Sequence, residues 1–410
     1  MRKVLLITNQ TTLPGERGFM RNLSLYAMLE QTGHKVHLVT SKFNHYDKQH
    51  RDVILFHKNY PNFKISFIEE PGYKKNVSFK RIFSQWCFAK NLYKWFTDNV
   101  SNYDVVFMTV PTYEGAALVG RYCNKHHIPY IINVEDLWPE AMRMCIKSKI
   151  LFNMLTWPLA FLADVVYKQA DALIAVSQQY LNRAKSVNKK ASQEAVIYLG
   201  ADLEKFDQGV KMYAKEIQKP VQEFWICYIG TLGESYDIKT FIEAVNSLHK
   251  QGYTLIKAKI LGRGPREKYF KTYAKHLGAE IDFVGFLPYE QMAAYLFHAD
   301  VMINAIKKDS QSSIINKVSE YFASGKPTLN GSIHPEMRHL ISEYNTGLNY
   351  IPENAEDLAQ KILILYSDKK LCQKLGQNGR KLAQEFFDRK TSYKKIIEII
   401  DSAQVQKYEK

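Results

Sequence analysis

Cysteine is scarce in this 410-residue chain: Cys87, Cys123, Cys145, Cys227 and Cys372 are odd in number, widely spaced and form no CxxC pair. Neither a disulfide framework nor a cysteine-built zinc site fits that usage, and reduced thiols are expected. HExxH, His/Cys clusters and GxSxG are absent as well, so zinc hydrolysis and serine acyl transfer have no support. Long apolar runs are few. Residues 1–9 hold an apolar run too short for a secretory leader and read as a first strand. The most apolar window, residues 150–167, is interrupted by Asn153, Thr156, Pro158 and Asp164, and reads as a buried or interfacial helix that falls short of a membrane span. No helix-turn-helix or zinc-finger spacing is present, which sets nucleic acid aside as a partner.

What is present is apolar mass and positive charge. Apolar residues make up 46% and aromatics 13%, enough for packed cores, and the length favours two of them. Lysine and arginine exceed aspartate and glutamate by 56 − 41, giving +15, a balance suited to a polyanion or an anionic membrane surface.

Short apolar runs at 4–8, 35–40, 104–109, 130–134 and 172–176 alternate with helical periodicity. After the polar stretch 207–223 the pattern restarts, with runs at 224–230, 255–261, 281–284 and 301–305. This β–loop–α alternation predicts two parallel sheets, each covered by helices, with ligands at the carboxyl ends of the strands in a cleft between them. The expected domains are 1–203 and 204–387, with a final helix in 388–410 packing back on the first and a hinge near 200–210.

Several segments carry candidate chemistry. Gly15 and Gly18 lie in a loop that follows a strand and opens a helix, a context that suits close approach of backbone N–H groups to phosphate, although it is not GxGxxG. Gly262, Arg263, Gly264 and Pro265 form a turn that leaves room for a nucleobase or is merely tight; Arg263 and Arg266 put two cations at its rim. Glu135 and Asp136 end a strand just before Trp138 and Pro139, and read as cleft-facing carboxylates or as a helix cap. Between residues 79 and 96, Phe79, Ile82, Phe83, Trp86, Tyr93 and Phe96 share one helical face and read as core. Lys74, Lys75, Lys80, Arg81, Lys90 and Lys94 leave docking on anionic lipid as the alternative. Finally, Glu320 falls on the first turns of a short helix after a polar loop, where N–H groups would meet a diphosphate and the carboxylate a ribose.

In their order and spacing these segments resemble the family 4 glycosyltransferases, retaining nucleotide-sugar enzymes of GT-B fold, in their bacterial capsule, exopolysaccharide and O-antigen branch. The likeness runs through the Gly15–Gly18 loop, Gly33 and His34, residues 40–45 and 135–140, Gly230 to Gly233, Gly262 to Pro265, and Asn316 to Pro327. It implies a two-domain α/β chain that moves a sugar from a nucleotide diphosphate, UDP by default, to a polyprenyl-linked or saccharide acceptor. No metal cofactor is implied. The implied location is the cytoplasmic face of the membrane, as a peripheral protein.

The same resemblance puts Glu320 on the ribose, and Ser313, Ile314 and Ile315 on the sugar and diphosphate. Ser312 stands where the family has a first glutamate, while Thr231 and Tyr236 replace an arginine and a lysine that clamp the diphosphate. Lys317 is the candidate substitute cation, with Lys239 and Arg263 as further options. Glu135 replaces a histidine, so Glu135 or Asp136 would orient a substrate. Gly230, Thr231, Arg263 and Gly264 complete the expected donor site. A non-catalytic binding protein of the same fold and a nucleotide-sugar epimerase are the alternatives.

Overall fold

The computed structural model describes residues 1–16, 20–76, 78–140, 148–310 and 314–405. The chain folds as two compact units, 1–198 with 393–410, and 199–392. The division therefore falls after Tyr198 and again after Ser392, a few residues from the expected limits.

In the first unit the order is β1 (Lys3–Ile7), α1 (Arg21–Gln31), β2 (Lys35–Ser41), the small hairpin β3 (Phe43–Asn44) and β4 (Gln49–His50), α2 (Val53–Asn59), β5 (Ile65–Ile68), α3 (Phe79–Asn99), β6 (Val105–Val110), α4 (Tyr113–Lys125), β7 (Tyr130–Val134), α5 (Lys149–Gln169), β8 (Ala172–Ala175), α6 (Gln178–Lys185) and β9 (Gln193–Val196). The second unit continues with α7 (Leu203–Tyr213), β10 (Phe224–Ile229), α8 (Ile238–Lys250), β11 (Ile256–Leu261), α9 (Glu267–Leu277), β12 (Ile281–Gly285), α10 (Tyr289–His298), β13 (Val301–Asn304), α11 (Val318–Ala323), β14 (Thr328–Asn330), α12 (Pro335–Ser342), β15 (Gly347–Asn349), α13 (Ala355–Ser367) and α14 (Lys369–Leu382). The last helix is α15 (Arg389–Ser402).

The sheets run β5-β2-β1-β6-β7-β8-β9 and β12-β11-β10-β13-β14-β15, and every pairing within them is parallel. Parallel strands covered on both faces need apolar side chains at every position, and β6, β7 and β10 are buried throughout. In each sheet the strand order reverses beside the unit's first strand, at β1/β6 and β10/β13, the place where open α/β sheets bind ligands. This is the doubly wound α/β fold, and the pair of units is GT-B.

Local chemistry starts the helices. Ser78, Ser148, Ser177, Asp202, Asn354 and Asp368 each accept a hydrogen bond from a first-turn amide of α3, α5, α6, α7, α13 and α14, satisfying a group the helix leaves open. In the first unit, α3, α4, α5 and α6 pack on one face of the sheet through Phe88, Leu92, Val119, Val166 and Leu181. The other face takes α1 and, from α15, Tyr393, Ile396, Ile397, Ile399 and Ile400.

Two expectations for the helical layer are corrected. Phe79 (91% exposed), Ile82, Phe83, Trp86 and Tyr93 face outward, and of that stripe only Phe96 is buried. The core face of α3 is instead Ser84, Gln85, Phe88, Ala89, Leu92 and Phe96. Its buried serine donates to Glu70 and accepts from the Gly72 amide at 2.8 Å. By length and composition α5 is, moreover, sufficient to cross a membrane despite its polar interruptions. One side of it is nevertheless built into the core through Phe152, Ala163, Val166 and Tyr167, while Ile150, Met154, Leu155, Trp157 and Phe161 are exposed.

Candidate functional site

In the second unit the carboxyl edge of the sheet is shaped by two interlocked turns. Leu232 N–H donates to the Arg263 carbonyl at 3.0 Å and Arg266 N–H to the Leu232 carbonyl at 2.9 Å. A Cβ on Gly262 would stand 1.8 Å from the Gly230 carbonyl oxygen, and one on Gly264 2.4 Å from that of Leu232. Gly230 and Gly262 also take φ of +149° and +139°, which side chains disfavour. The glycines at 230, 262 and 264 are thus required by backbone meeting backbone, and they hold the rim rather than simply leaving it empty.

Thr231 is exposed, and its carbonyl accepts from Tyr228 Oη at 2.9 Å. Arg263 is exposed at the same rim and makes no ion pair among the described residues. Arg266 is 3.1 Å and Lys307 3.8 Å from the Glu234 carboxylate, so cations outnumber the one acid here. Lys307 went unnoticed as a site residue because it lies in a loop remote in sequence from both turns.

The short helix α11 is buried along its whole length and starts directly after Lys317. Tyr321 Oη donates to the Ile229 carbonyl at 3.1 Å, which ties α11 to the end of β10 and so to the same edge as the glycine turns. Glu320, in the first turn, is 5% exposed, and its Oε2 has no hydrogen-bond partner among the described residues. A buried carboxylate oxygen without a donor is costly, and that cost is removed when a ligand hydroxyl supplies one.

Tyr289, at the start of α10, interacts electrostatically with Glu320, and its buried Oη is equally without a partner among the described residues. Burial raises its pKa above the usual phenol value, so it stays a neutral donor. Sequence patterns held no sign of Tyr289; a buried polar atom is visible only once the fold is known. Lys317, Ile314 and Ile315 are half-buried, and the Ile315 carbonyl accepts from Val318 N–H at 3.1 Å. Ser312, Ser313 and Gly18 lie outside the described residues. A groove of about 490 Å³ lined by Asp202, Glu204, Lys205, Gln208 and Glu290 also belongs to this unit, but its acidic lining has the wrong sign for a diphosphate.

In the first unit Glu135 and Asp136 leave the end of β7 together, and both are engaged. Glu135 Oε1 lies 3.1 Å from Arg21 Nε and accepts from Asn133 Nδ2 at 2.9 Å. Arg21, 2% exposed at the start of α1, was not anticipated. Burial pushes the Glu135 carboxyl above its ordinary pKa, and Arg21 pulls it back. Asp136 accepts from Leu137 N–H at 2.9 Å and Trp138 Nε1 at 3.0 Å, and burial raises its pKa while these bonds lower it.

Gly15 takes φ +85°. Its loop is pinned by Arg51, whose Nε and Nη2 meet the Glu16 carboxylate at 2.6 and 2.9 Å. Gly15 belongs to the first unit and the remaining described donor-site candidates to the second.

With this geometry in place, residues 21–205 match the description Glycosyltransferase Family 4 and residues 211–382 match Glycosyl transferases group 1. Two glycosyltransferase family models thus match in tandem, one along the first half of the chain and the other along the second. EpsD of Bacillus subtilis, named as a glycosyltransferase, is 25% identical over 228 residues, 54% of this chain and 58% of its own. WcaL of Salmonella typhimurium, named for colanic acid biosynthesis, is 25% identical over 204 residues, 48% of each chain. The matches thus span about half the length of these relatives. The crystal structure of Anabaena Alr3699/HepE in complex with UDP superposes with a TM-score of 0.68 at 15% identity, covering 98% of this chain and 100% of that one.

Proposed function

We propose that this protein is a retaining glycosyltransferase that moves a hexosyl or N-acetylhexosaminyl group from a UDP-sugar to a lipid-linked saccharide in cell-surface polysaccharide synthesis. It works as a peripheral protein on the cytoplasmic face of the membrane. The observation that carries the reading is Glu320, a buried carboxylate with an open oxygen, held at the edge where Gly230, Gly262 and Gly264 lock two backbone turns together. In this reading Glu320 accepts from the ribose hydroxyls. Arg263, Arg266, Lys307 and Lys317 supply positive charge to the diphosphate in place of the absent clamp at Thr231 and Tyr236.

In transfer the bond between the anomeric carbon and the diphosphate oxygen breaks, the acceptor oxygen attacks from the same face, and its proton passes to the departing diphosphate. Charge builds on that leaving group, so fixed cations and N–H dipoles beside it lower the barrier without a metal. No carboxylate base is needed, which agrees with Glu135 being held by Arg21 and Asp136 by its own neighbours. The binding of UDP by HepE supports the choice of nucleotide.

Incubation with labelled UDP-sugars and a lipid-linked saccharide should give a glycosylated lipid and UDP. No product and no UDP binding across a donor panel would remove the proposal. Ser312 in place of the family's first glutamate, and Thr231 and Tyr236 in place of its cation clamp, favour a second reading, a binding partner of the same fold that takes UDP-sugar without turning it over. Intact UDP affinity with no product on any acceptor would select it.

A further inference from the structure

The outer face of the first unit combines two features that the donor chemistry does not use. On α3 the residues Phe79, Ile82, Phe83 and Trp86 are exposed, and on α5 so are Ile150, Met154, Leu155, Trp157 and Phe161. The exposed residues of α3 lie in its N-terminal half, where Arg81 reaches Trp138, and those of α5 run from its N-terminus to just past its middle. Patches of this kind mark contact surfaces. Lys90 and Lys94 continue the exposed stripe of α3, Lys74 and Lys75 lie just before it, and all four are exposed, which fits an anionic lipid surface.

The second feature is a pair of cations on the inner side of the same patch. Arg81, within the first turns of α3, has its guanidinium 4.7 Å from the Trp138 ring centre and 5.6 Å from that of Tyr73. Lys48, in the β3–β4 hairpin, lies 4.8 Å from the same Tyr73 ring, and its Nζ donates to Asn76 Oδ1 at 2.6 Å. Neither makes an ion pair among the described residues; Glu114 and Asp136 act on Arg81 only at longer range. His45 lies 3.3 Å from Lys48 Nζ, and burial with the two cations holds its pKa down at about 4, so it stays neutral and is no counterion to them. Burial and Arg81 both lower the pKa of Lys48, the signature of positive charges brought together without a counterion.

We propose that Lys48 and Arg81 hold the phosphate or diphosphate head of an amphipathic acceptor, while its hydrocarbon part lies in the bilayer against the exposed faces of α3 and α5. The inference rests on the lipid-linked acceptor proposed above and names its anchoring residues. The head group is recognised on the side of α3 that faces Tyr73 and Trp138, and the membrane on the other side of the same turns. A free phosphate and a lipid head share this chemistry, and the apolar face is what separates them.

The test floats the full chain on phosphatidylcholine vesicles doped with farnesyl diphosphate, with farnesol, or with phosphatidylglycerol, and titrates inorganic diphosphate in solution. The wild type should bind farnesyl diphosphate vesicles about tenfold or more tightly than farnesol vesicles. Lys48→Asn, an exchange its left-handed φ of 57° tolerates, combined with Arg81→Gln should abolish that preference. Phe83→Asp with Trp86→Asp should weaken binding to all vesicles and leave inorganic diphosphate binding unchanged.

A double cation variant that keeps the wild-type preference overturns the proposal. So does wild-type binding to phosphatidylglycerol as strong as to farnesyl diphosphate, which would mean a general anionic contact. Circular dichroism of each variant reports folding, and UDP titration reports the second unit separately. Loss of UDP binding in the wild type would sink the donor reading while leaving these vesicle results interpretable.

Discussion

Glu135 and Glu320 stand at the carboxyl edges of two sheets with the same strand reversal, yet they are different chemical objects. Glu135 is met by Arg21 and Asn133 and its charge is matched inside its own unit. Glu320 is more deeply buried and keeps an oxygen without a donor among the described residues. The pairing makes the first a part of the fold, and the open oxygen makes the second a place for a ligand. A buried charge is informative in proportion to what its surroundings fail to supply.

That contrast can be broken in several ways, beginning with the largest effect. Arg21→Met should destabilise the first unit by about 3 kcal/mol, because it strands a partly buried carboxylate. Adding Glu135→Gln should restore most of that in chemical denaturation, and no recovery would mean that Arg21 acts through its packing on Tyr393 instead. Gly262→Ala should cost the second unit roughly 2–3 kcal/mol through strain against the Gly230 carbonyl, read as a lowered Tm. A Tm equal to wild type would show that the turns are free to separate.

Glu320→Ala removes a costly unpartnered oxygen, so it should not lower the stability of the ligand-free protein, and it should weaken UDP binding by about 1.5–3 kcal/mol, measured by calorimetry. Unchanged affinity would put the ribose elsewhere and erase the difference between the two glutamates. A smaller effect concerns pH. Burial raises the pKa of Glu70 above its ordinary 4.5, although hydrogen bonds from Ser41 and Ser84 oppose it. A raised folded pKa contributes stability that is complete below the unfolded value and is lost as pH rises through the folded one. Glu70→Gln should therefore gain on the wild type as pH increases from about 4.5 toward 7. A difference independent of pH would refute it. Smallest of all, Phe286→Ser, at an isolated exposed phenylalanine of the second unit, should change stability by less than about 0.5 kcal/mol and leave vesicle binding alone. If it matched Trp86→Asp on vesicles, the apolar patch would not be confined to α3 and α5.

Much of the fold was legible along the chain. The runs at β1, β6, β7, β8, β10 and β13 are near-continuous apolar segments bounded by turns, which is how strands buried on both faces must read, while β2, β11 and β12 are legible although polar residues interrupt them. The three-residue strands β14 and β15 were not legible. What joins their ends to β13 is a ladder of asparagines, buried at 304 and 330 and half-buried at 349, with Asn304 to Asn330 at 2.8 Å and Asn330 to Asn349 at 2.7 Å, residues that along the chain look like loop.

The helix α3 shows the limit most clearly. Its apolar residues fall on two faces, one through Phe79, Ile82, Phe83 and Trp86 and the other through Phe88, Leu92 and Phe96. Periodicity finds both but cannot choose, because which face is buried depends on the sheet it meets.

The order of residues alone thus determined the strand–helix alternation, the two α/β units, the glycine turns and the position of Glu320, since each follows from local geometry and side-chain type. Only the tertiary structure decided that Arg21 neutralises Glu135, that Glu320 and Tyr289 keep oxygens unpartnered among the described residues, and that Lys48 and Arg81 converge on Tyr73. Charge compensation and burial are properties of neighbours in space, and these neighbours are far apart along the chain.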